Sequence, residues 1–311
     1  MINKKILILI IILIINLNFK SYSIEGVFVK YKINDEIITN IDVENESSYL
    51  IALNNELTKL SDTKILEIAK NSIIKETVKK IELLKYFTLD QNNPFLDKVI
   101  KDFYLKLQLN NEDEFEKYLS NYNLTIQDIK KKIEIETVWN QLIYEKFINQ
   151  VTINNDALKK RINQNIISET NTKYQLSEII FDKRKDEPLN KTIKKIHQSI
   201  MDIGFKNTAN IYSVGDSAKF GGDIGWVDED NLSNKTVNII KKLKIGEFSK
   251  KIHIGNSYLI LKVDNIKKEK KKIDKKKEFS KMVLFEQNKQ LEKFSKIYYN
   301  KIKINTSISE L

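Results

Sequence analysis

The sequence predicts an α+β protein: a helical N-terminal domain, completed by a C-terminal helix and strand, with a separate glycine-rich α+β module inserted between them. Three observations carry this reading. Apolar residues recur at spacings of three and four through much of the first half, the pattern of amphipathic helices. Seven of the eight glycines in the 311 residues lie between Gly204 and Gly255, so the turns and close backbone approaches that only glycine tolerates are gathered in one stretch. Both ends of the mature chain alternate apolar and polar residues, and a lone terminal strand is unstable unless it joins a sheet.

Residues 1–23 read as a secretory signal. Lys4 and Lys5 form a basic start, residues 6–15 are unbroken apolar sequence, and Ser21 and Ser23 supply small residues at the positions a signal peptidase inspects. Cleavage after Ser23 is the expectation. The alternative is a retained anchor in which Leu17 and Phe19 extend the run, although the unbroken stretch is well short of the roughly 20 residues a spanning helix requires.

Residues 24–168 read as the helical domain. Val27, Val29, Tyr31 and Ile33 alternate with Phe28, Lys30 and Lys32, and Asn34-Asp35 offers a turn before Ile37-Ile38, which is a hairpin pattern. Thr39 and Asp42 stand in a capping-box arrangement for the next helix. A long helix follows Asp62-Thr63, since Ile65, Ala69, Ile73, Ile74, Val78, Ile81 and Leu84 share one stripe. Asn93-Pro94 reads as a cap and first-turn proline, and Leu96, Val99, Phe103 and Leu107 continue an apolar face. Further helices are expected after Asn111 and after Thr125.

Residues 173–265 read as the inserted module: an extended segment 174–181, a helical run, the glycine loop 212–226 with Trp226 packed into its turn, and a closing strand 258–263. In residues 266–311, the lysine-rich run 267–277 reads as a solvated linker or helix start. Phe279, Met282, Phe285, Leu291, Phe294 and Tyr298 then describe a helix. The tail alternates Ile302, Ile304, Thr306 and Ile308 with Lys303, Asn305 and Ser307, a strand whose expected partner is the opening hairpin.

The net charge of +11 falls to +8 once Lys4, Lys5 and Lys20 leave with the signal. Lys, Asn and Ile are enriched together throughout, which is a compositional habit and not a directed patch, so no nucleic-acid partner is expected. With no cysteine, disulfides, thiolate nucleophiles and Cys-ligated metals are excluded. His197 and His253 are the two histidines, each expected at the surface or in a turn. They give no basis for a His-based metal site or a Ser-His-Asp triad, and no metal or cofactor is expected.

The order of the extended segment, Tyr212-Ser213, Gly221-Gly222-Asp223-Ile224-Gly225-Trp226, Gly246-Glu247-Phe248-Ser249 and the closing strand resembles the parvulin (PpiC-type) peptidyl-prolyl isomerase domain. Together with Lys32-Ile33-Asn34-Asp35-Glu36-Ile37-Ile38-Thr39-Asn40-Ile41-Asp42-Val43 and the discontinuous helical domain, the chain resembles the SurA-like periplasmic chaperones of Gram-negative bacteria. It departs from their best-known members in carrying one isomerase-like module where they carry two. The resemblance implies a periplasmic holdase for unfolded outer-membrane proteins or other exported polypeptides.

It also implies a set of site positions. Parvulins are thought to hold proline in an apolar pocket beside a polar cluster that includes two histidines and an Asp or Cys. The first histidine position falls on Glu178, the second on Leu259, and the Asp or Cys position on Gly215 or, one residue on, Asp216. The pocket Met maps near Leu232 and the pocket Phe near Thr236. Phe220 and Trp226 are further candidates for peptide contact. With both imidazoles absent, isomerase activity is expected to be weak or lost. The alternative is a working isomerase, using Glu178 or Asp216 as substitute groups and membrane-anchored if the signal is retained.

Overall fold

The computed structural model describes residues 26–89, 94–165, 170–183, 187–270 and 275–311. The signal segment and Asn93 lie outside the described residues.

The opening hairpin forms as the alternation requires. Strands β1 (Val29–Ile33) and β2 (Glu36–Thr39) pair antiparallel around Asn34, whose φ of 51° lies in the left-handed region that Asn tolerates better than most residues. Tyr31, Ile33 and Ile38 turn inward and are buried. Thr39 accepts a hydrogen bond from the Asp42 amide while the Asp42 carboxylate accepts one from the Thr39 amide, and this reciprocal box starts α1 (Asn40–Leu53). Next come α2 (Asp62–Leu83), α3 (Pro94–Lys106) and α4 (Glu112–Ser120), the last capped by Asn111. α5 (Ile126–Phe147) opens on a second box, Thr125 with Asp128, and α6 (Asn155–Asn165) follows.

The chain end returns to its beginning. β7 (Ile308–Glu310) pairs antiparallel with β1, giving the sheet order β2-β1-β7, with Ile33 opposite Ile308. The preceding helix, α9 (Lys275–Ile304), lies along α5: Trp139, fully buried, donates from Nε1 to Ser295 Oγ at 2.8 Å, and Phe147 stacks on Phe294 with ring centres 5.1 Å apart. One expectation is corrected here. The alternation from Ile302 predicts strand, but the helix runs to Ile304 because Ile302 joins Tyr298 and Tyr299 in the apolar cluster that holds Trp139 and Leu142. Strand geometry is confined to the last residues.

The module is a four-stranded sheet of order β4-β3-β6-β5, built from β3 (Thr170–Asp182), β4 (Asp223–Asp228), β5 (Ile252–Ile254) and β6 (Ser257–Lys270). Helix α7 (Leu189–Tyr212) covers one face, seating Ile196, Ile200, Phe205 and Ala209 on Ile179, Phe181 and Ile260. The other face carries Tyr174, Leu176, Leu261 and Val263 with Ile240 of the short α8 (Asn234–Ile240). Residues 267–270, read as linker, belong instead to β6, where Lys267 opposes Lys173 and Lys270 opposes Thr170. Among the described residues no helix is long and apolar enough to cross a membrane.

Candidate functional site

The glycine loop is shaped by close approach to β3. The Glu178 amide donates to the Gly222 carbonyl at 2.8 Å, and at φ 82° a β-carbon on Gly222 would stand 2.3 Å from the Glu178 carbonyl oxygen. Only glycine fits there. Upstream, Val214 donates its amide to the Ile180 carbonyl at 2.7 Å, and Ser213 Oγ accepts from the Ile180 amide at 3.0 Å. Residues 213–222 are thus fastened along β3, opposite the side where β6 pairs.

Register sets which side chains share a face. Glu178 lies opposite Leu261 and Ile180 opposite Leu259, so these four point to the side away from α7. Gly215 arrives on the same side, where a β-carbon would meet Ile180 Cδ1 at 3.3 Å. Glu178, Gly215 and Leu259, the three positions the resemblance implies, therefore gather around Ile180. Leu232 joins through the apolar cluster that also holds Leu259, Ile239 and Leu243. Thr236 is taken up by the start of α8: its amide donates to Ser233 Oγ at 3.1 Å, and the two hydroxyls lie 2.8 Å apart.

No imidazole faces this cluster. His253 opposes Tyr258, whose ring stacks on Phe181 on the α7 side, and His197 belongs to α7, 5.5 Å edge-on from Phe248. His253 is exposed as expected. His197 is not simply a surface residue, because its Nε2 is buried without a hydrogen-bond partner. The side chain that does titrate at the site is Glu178. Burial and then the neighbouring Glu292 carboxylate push it up to about 7, against the stabilising hydrogen bond it accepts from Ser217 Oγ at 2.9 Å. A carboxyl at that value is partly protonated near neutrality and is able to donate as well as accept.

Asp216 and Phe220 point elsewhere. Asp216 sits 3.0 Å from Lys75 and 3.9 Å from Lys79, both on α2. Burial raises its pKa, but the two ammonium groups outweigh that and hold the carboxyl below the usual carboxylate range. Lys79 is 1% exposed and meets Glu136 of α5 at 2.6 Å, while Lys219 approaches the same Glu136 at 3.9 Å. Phe220 meets Phe103 edge-on at 5.9 Å, packed against the core of the helical domain. Alongside, Asn54 Nδ2 donates to Asn210 Oδ1 at 2.6 Å and Asn207 Nδ2 donates to the Glu56 carbonyl at 3.0 Å. Lys296 of α9 reaches Asp182 at 2.6 Å. Trp226, expected to be packed in the turn, is 44% exposed on β4 with the Lys267 ammonium 5.5 Å from its ring.

Sequence patterning does not reveal this junction. Lys75, Lys79 and Glu136 occupy helices whose apolar stripes define the core, and in a chain with 53 basic residues none of them stands out. Asp216 stands out in the sequence as an alternative to Gly215 for the Asp or Cys position and as a possible substitute catalytic group, not as a partner of the helical domain. Among the described residues no group of three or more His, Asp or Glu side chains is arranged to hold a metal ion.

Residues 171–265 match the family model described as the PPIC-type PPIase domain (rotamase). The foldase protein PrsA of Staphylococcus epidermidis, in two strains, is 25% identical over 162 residues, 50% of this chain and 47% of the relative. The chain thus spans about half the length of the curated relatives it matches. Among solved structures, a SurA-like chaperone of Campylobacter jejuni is 15% identical, with 91% of this chain and 98% of that one covered and a TM-score of 0.36. PrsA from Bacillus anthracis is 19% identical, with coverages of 76% and 97% and a TM-score of 0.31.

Proposed function

We propose that this chain, which carries one PPIC-type isomerase domain, is a chaperone of unfolded exported polypeptides, outer-membrane proteins above all, whose isomerase activity is weak or lost. The observation that carries the reading is the composition of one sheet face: Glu178, Ile180, Leu259 and Leu261, with both histidines on the other side. Rotation about an X-Pro bond crosses a barrier of about 18–20 kcal/mol, and a catalyst gains rate only by binding the twisted amide better than the planar one. An apolar face retains affinity for a prolyl segment. Without the polar cluster, it has little with which to favour the twisted state.

The similarity to PrsA foldases and SurA-like chaperones supports polypeptide capture. The proposed place of action is the periplasm, reached through the signal segment of residues 1–23. Capture by several apolar contacts at once is insensitive to modest salt. The deciding experiment pairs two assays on the purified protein. We expect suppression of aggregation of an unfolded outer-membrane β-barrel, and a cis/trans exchange rate on a proline tetrapeptide equal to buffer alone. Failure to suppress aggregation rejects the chaperone reading.

A second reading rests on Glu178 alone. Its elevated pKa and its bond with Ser217 support a partly neutral carboxyl able to donate to a prolyl amide, at the position the resemblance equates with the first histidine. Catalysis above buffer that disappears in Glu178→Gln supports this reading against the first.

A further inference from the structure

The loop that holds Gly215 and Asp216 is plugged into the helical domain at three points, each chemically matched. The Asp216 carboxylate meets Lys75 and Lys79, the Lys219 ammonium meets Glu136, and the Phe220 ring enters beside Phe103. On the receiving side, Phe103 is in turn 5.9 Å from Phe115, and Tyr104 is 5.8 Å from that same ring, so the socket for Phe220 is aromatic and backed by buried residues. Of the charges beside it, Lys79 is buried, Lys75, Lys219 and Glu136 are half-buried, and Asp216 keeps about half of its side chain in solvent. Lys79 is nearly inaccessible, and burial works against the Lys75 charge, which Asp216 and Glu136 nonetheless hold in its protonated form.

Resting on the chaperone reading above, we propose that this socket is a peptide-binding site of the helical domain, specific for a segment with an aromatic side chain four residues after a carboxylate. In this state the module's own residues 216–220 occupy it. The chain that fills the site is tethered, so it competes at the millimolar effective concentration typical of short linkages. An external segment therefore sees only the fraction of molecules in which the loop has withdrawn, and its apparent affinity is reduced by that fraction. A client that wins the socket also frees residues 216–220 from the helical domain and parts the Glu178 carboxyl from the Glu292 carboxylate of α9 beside it. Capture and the surroundings of Glu178 are thereby linked through one short segment.

The test uses a fluorescein-labelled, capped pentapeptide Asp-Ser-Ala-Lys-Phe and its Ala-Ser-Ala-Lys-Ala counterpart, with binding to the whole protein read by anisotropy. Asp216→Asn and Phe220→Ala each remove one anchor of the internal competitor. Both are expected to tighten binding of the first peptide by about tenfold, since the competent fraction rises accordingly. The second peptide is expected to bind neither. Hydrogen exchange at amides 214–221 is expected to accelerate in both variants and on saturation of the parent with the first peptide. If Phe220→Ala fails to fold, Asp216→Asn, which preserves shape, decides alone.

Unchanged or weaker binding in the folded variants, or equal binding of the alanine peptide, overturns the proposal. Aggregation suppression without tightening removes this inference and leaves the chaperone reading intact. Tightening without suppression does the reverse.

Discussion

Lys79→Ala is the perturbation whose outcome the structure fixes best. The ammonium is 1% exposed, 2.6 Å from Glu136, 3.9 Å from Asp216 and 5.3 Å from the centre of the Trp139 ring. Truncation leaves Glu136 facing Lys219 at 3.9 Å and removes a methylene stem packed among buried residues. Removing one member of a buried pair costs about 3–5 kcal/mol, and the partial exposure of Glu136, 27% at its side chain, points to the lower end, about 3 kcal/mol. Removing both charges while keeping volume, as in Lys79→Met with Glu136→Gln, leaves no orphan and is expected to cost less than about 1.5 kcal/mol. Urea unfolding followed by Trp139 fluorescence, in a Trp226→Phe background, reads both values. A single variant within about 1 kcal/mol of its parent, or a double variant as costly as the single, refutes the assignment of Lys79 as a desolvated, pair-dependent charge.

Three other outcomes follow from the same geometry. Gly222→Ala forces a β-carbon to within 2.3 Å of the Glu178 carbonyl at φ 82°, so a loss of more than about 2 kcal/mol and a lowered melting temperature are expected. Glu178 binds its proton more tightly in the fold than in the unfolded chain, where its ordinary value is 4.5. Its contribution to stability is therefore complete below about pH 4.5 and is lost as pH rises through about 7. Glu292 and, more weakly, Asp216 act on it through charge, and Ser217 through a hydrogen bond. Glu178→Gln is expected to flatten that segment of a stability–pH curve, and an unchanged slope contradicts the assignment. Deleting residues 308–311 removes the β7 pairing with β1 and the Lys70–Glu310 contact at 2.7 Å, and thermal melts are expected to register a loss of about 1–2 kcal/mol.

Features decided by local chemistry were legible in the sequence. Thr39 with Asp42 and Thr125 with Asp128 form their boxes whatever surrounds them, and the stripe from Ile65 to Val78 buries one face of α2. The pairing of the chain's two ends followed from the need of a short strand for a partner. Period alone did not separate strand from helix at Ile302, since that residue satisfies a two-residue alternation and also lies four after Tyr298; contact with Trp139 and Leu142 decided it. At the candidate site, family positions led to Glu178, Gly215 and Leu259, which meet around Ile180. The exposure of Trp226 and the burial of Lys79 depend on which surfaces meet, and no spacing encodes that.

The way those surfaces meet has a consequence for how firmly the module is held. Contacts at the junction are largely polar: Lys75 to Asp216, Lys219 to Glu136, Asn54 to Asn210, Asn207 to the Glu56 carbonyl and Lys296 to Asp182, with Phe220 and Ile211 as apolar insertions against the helical core. An interface of oily side chains would remain shut, because opening it exposes apolar area at about 25 cal/mol per Å². A paired polar interface gives up much less, since each charge regains water as its partner leaves, and the net worth of such pairs is small next to their gross attraction. The charges around Asp216 also balance, with Lys75, Lys79 and Lys219 against Asp216, Glu136 and the nearby Glu292. Docking therefore leaves these six charges compensated, and release strands none of them. These are the energetics of a contact that is specific in register and modest in strength, as the proposed release of the module requires.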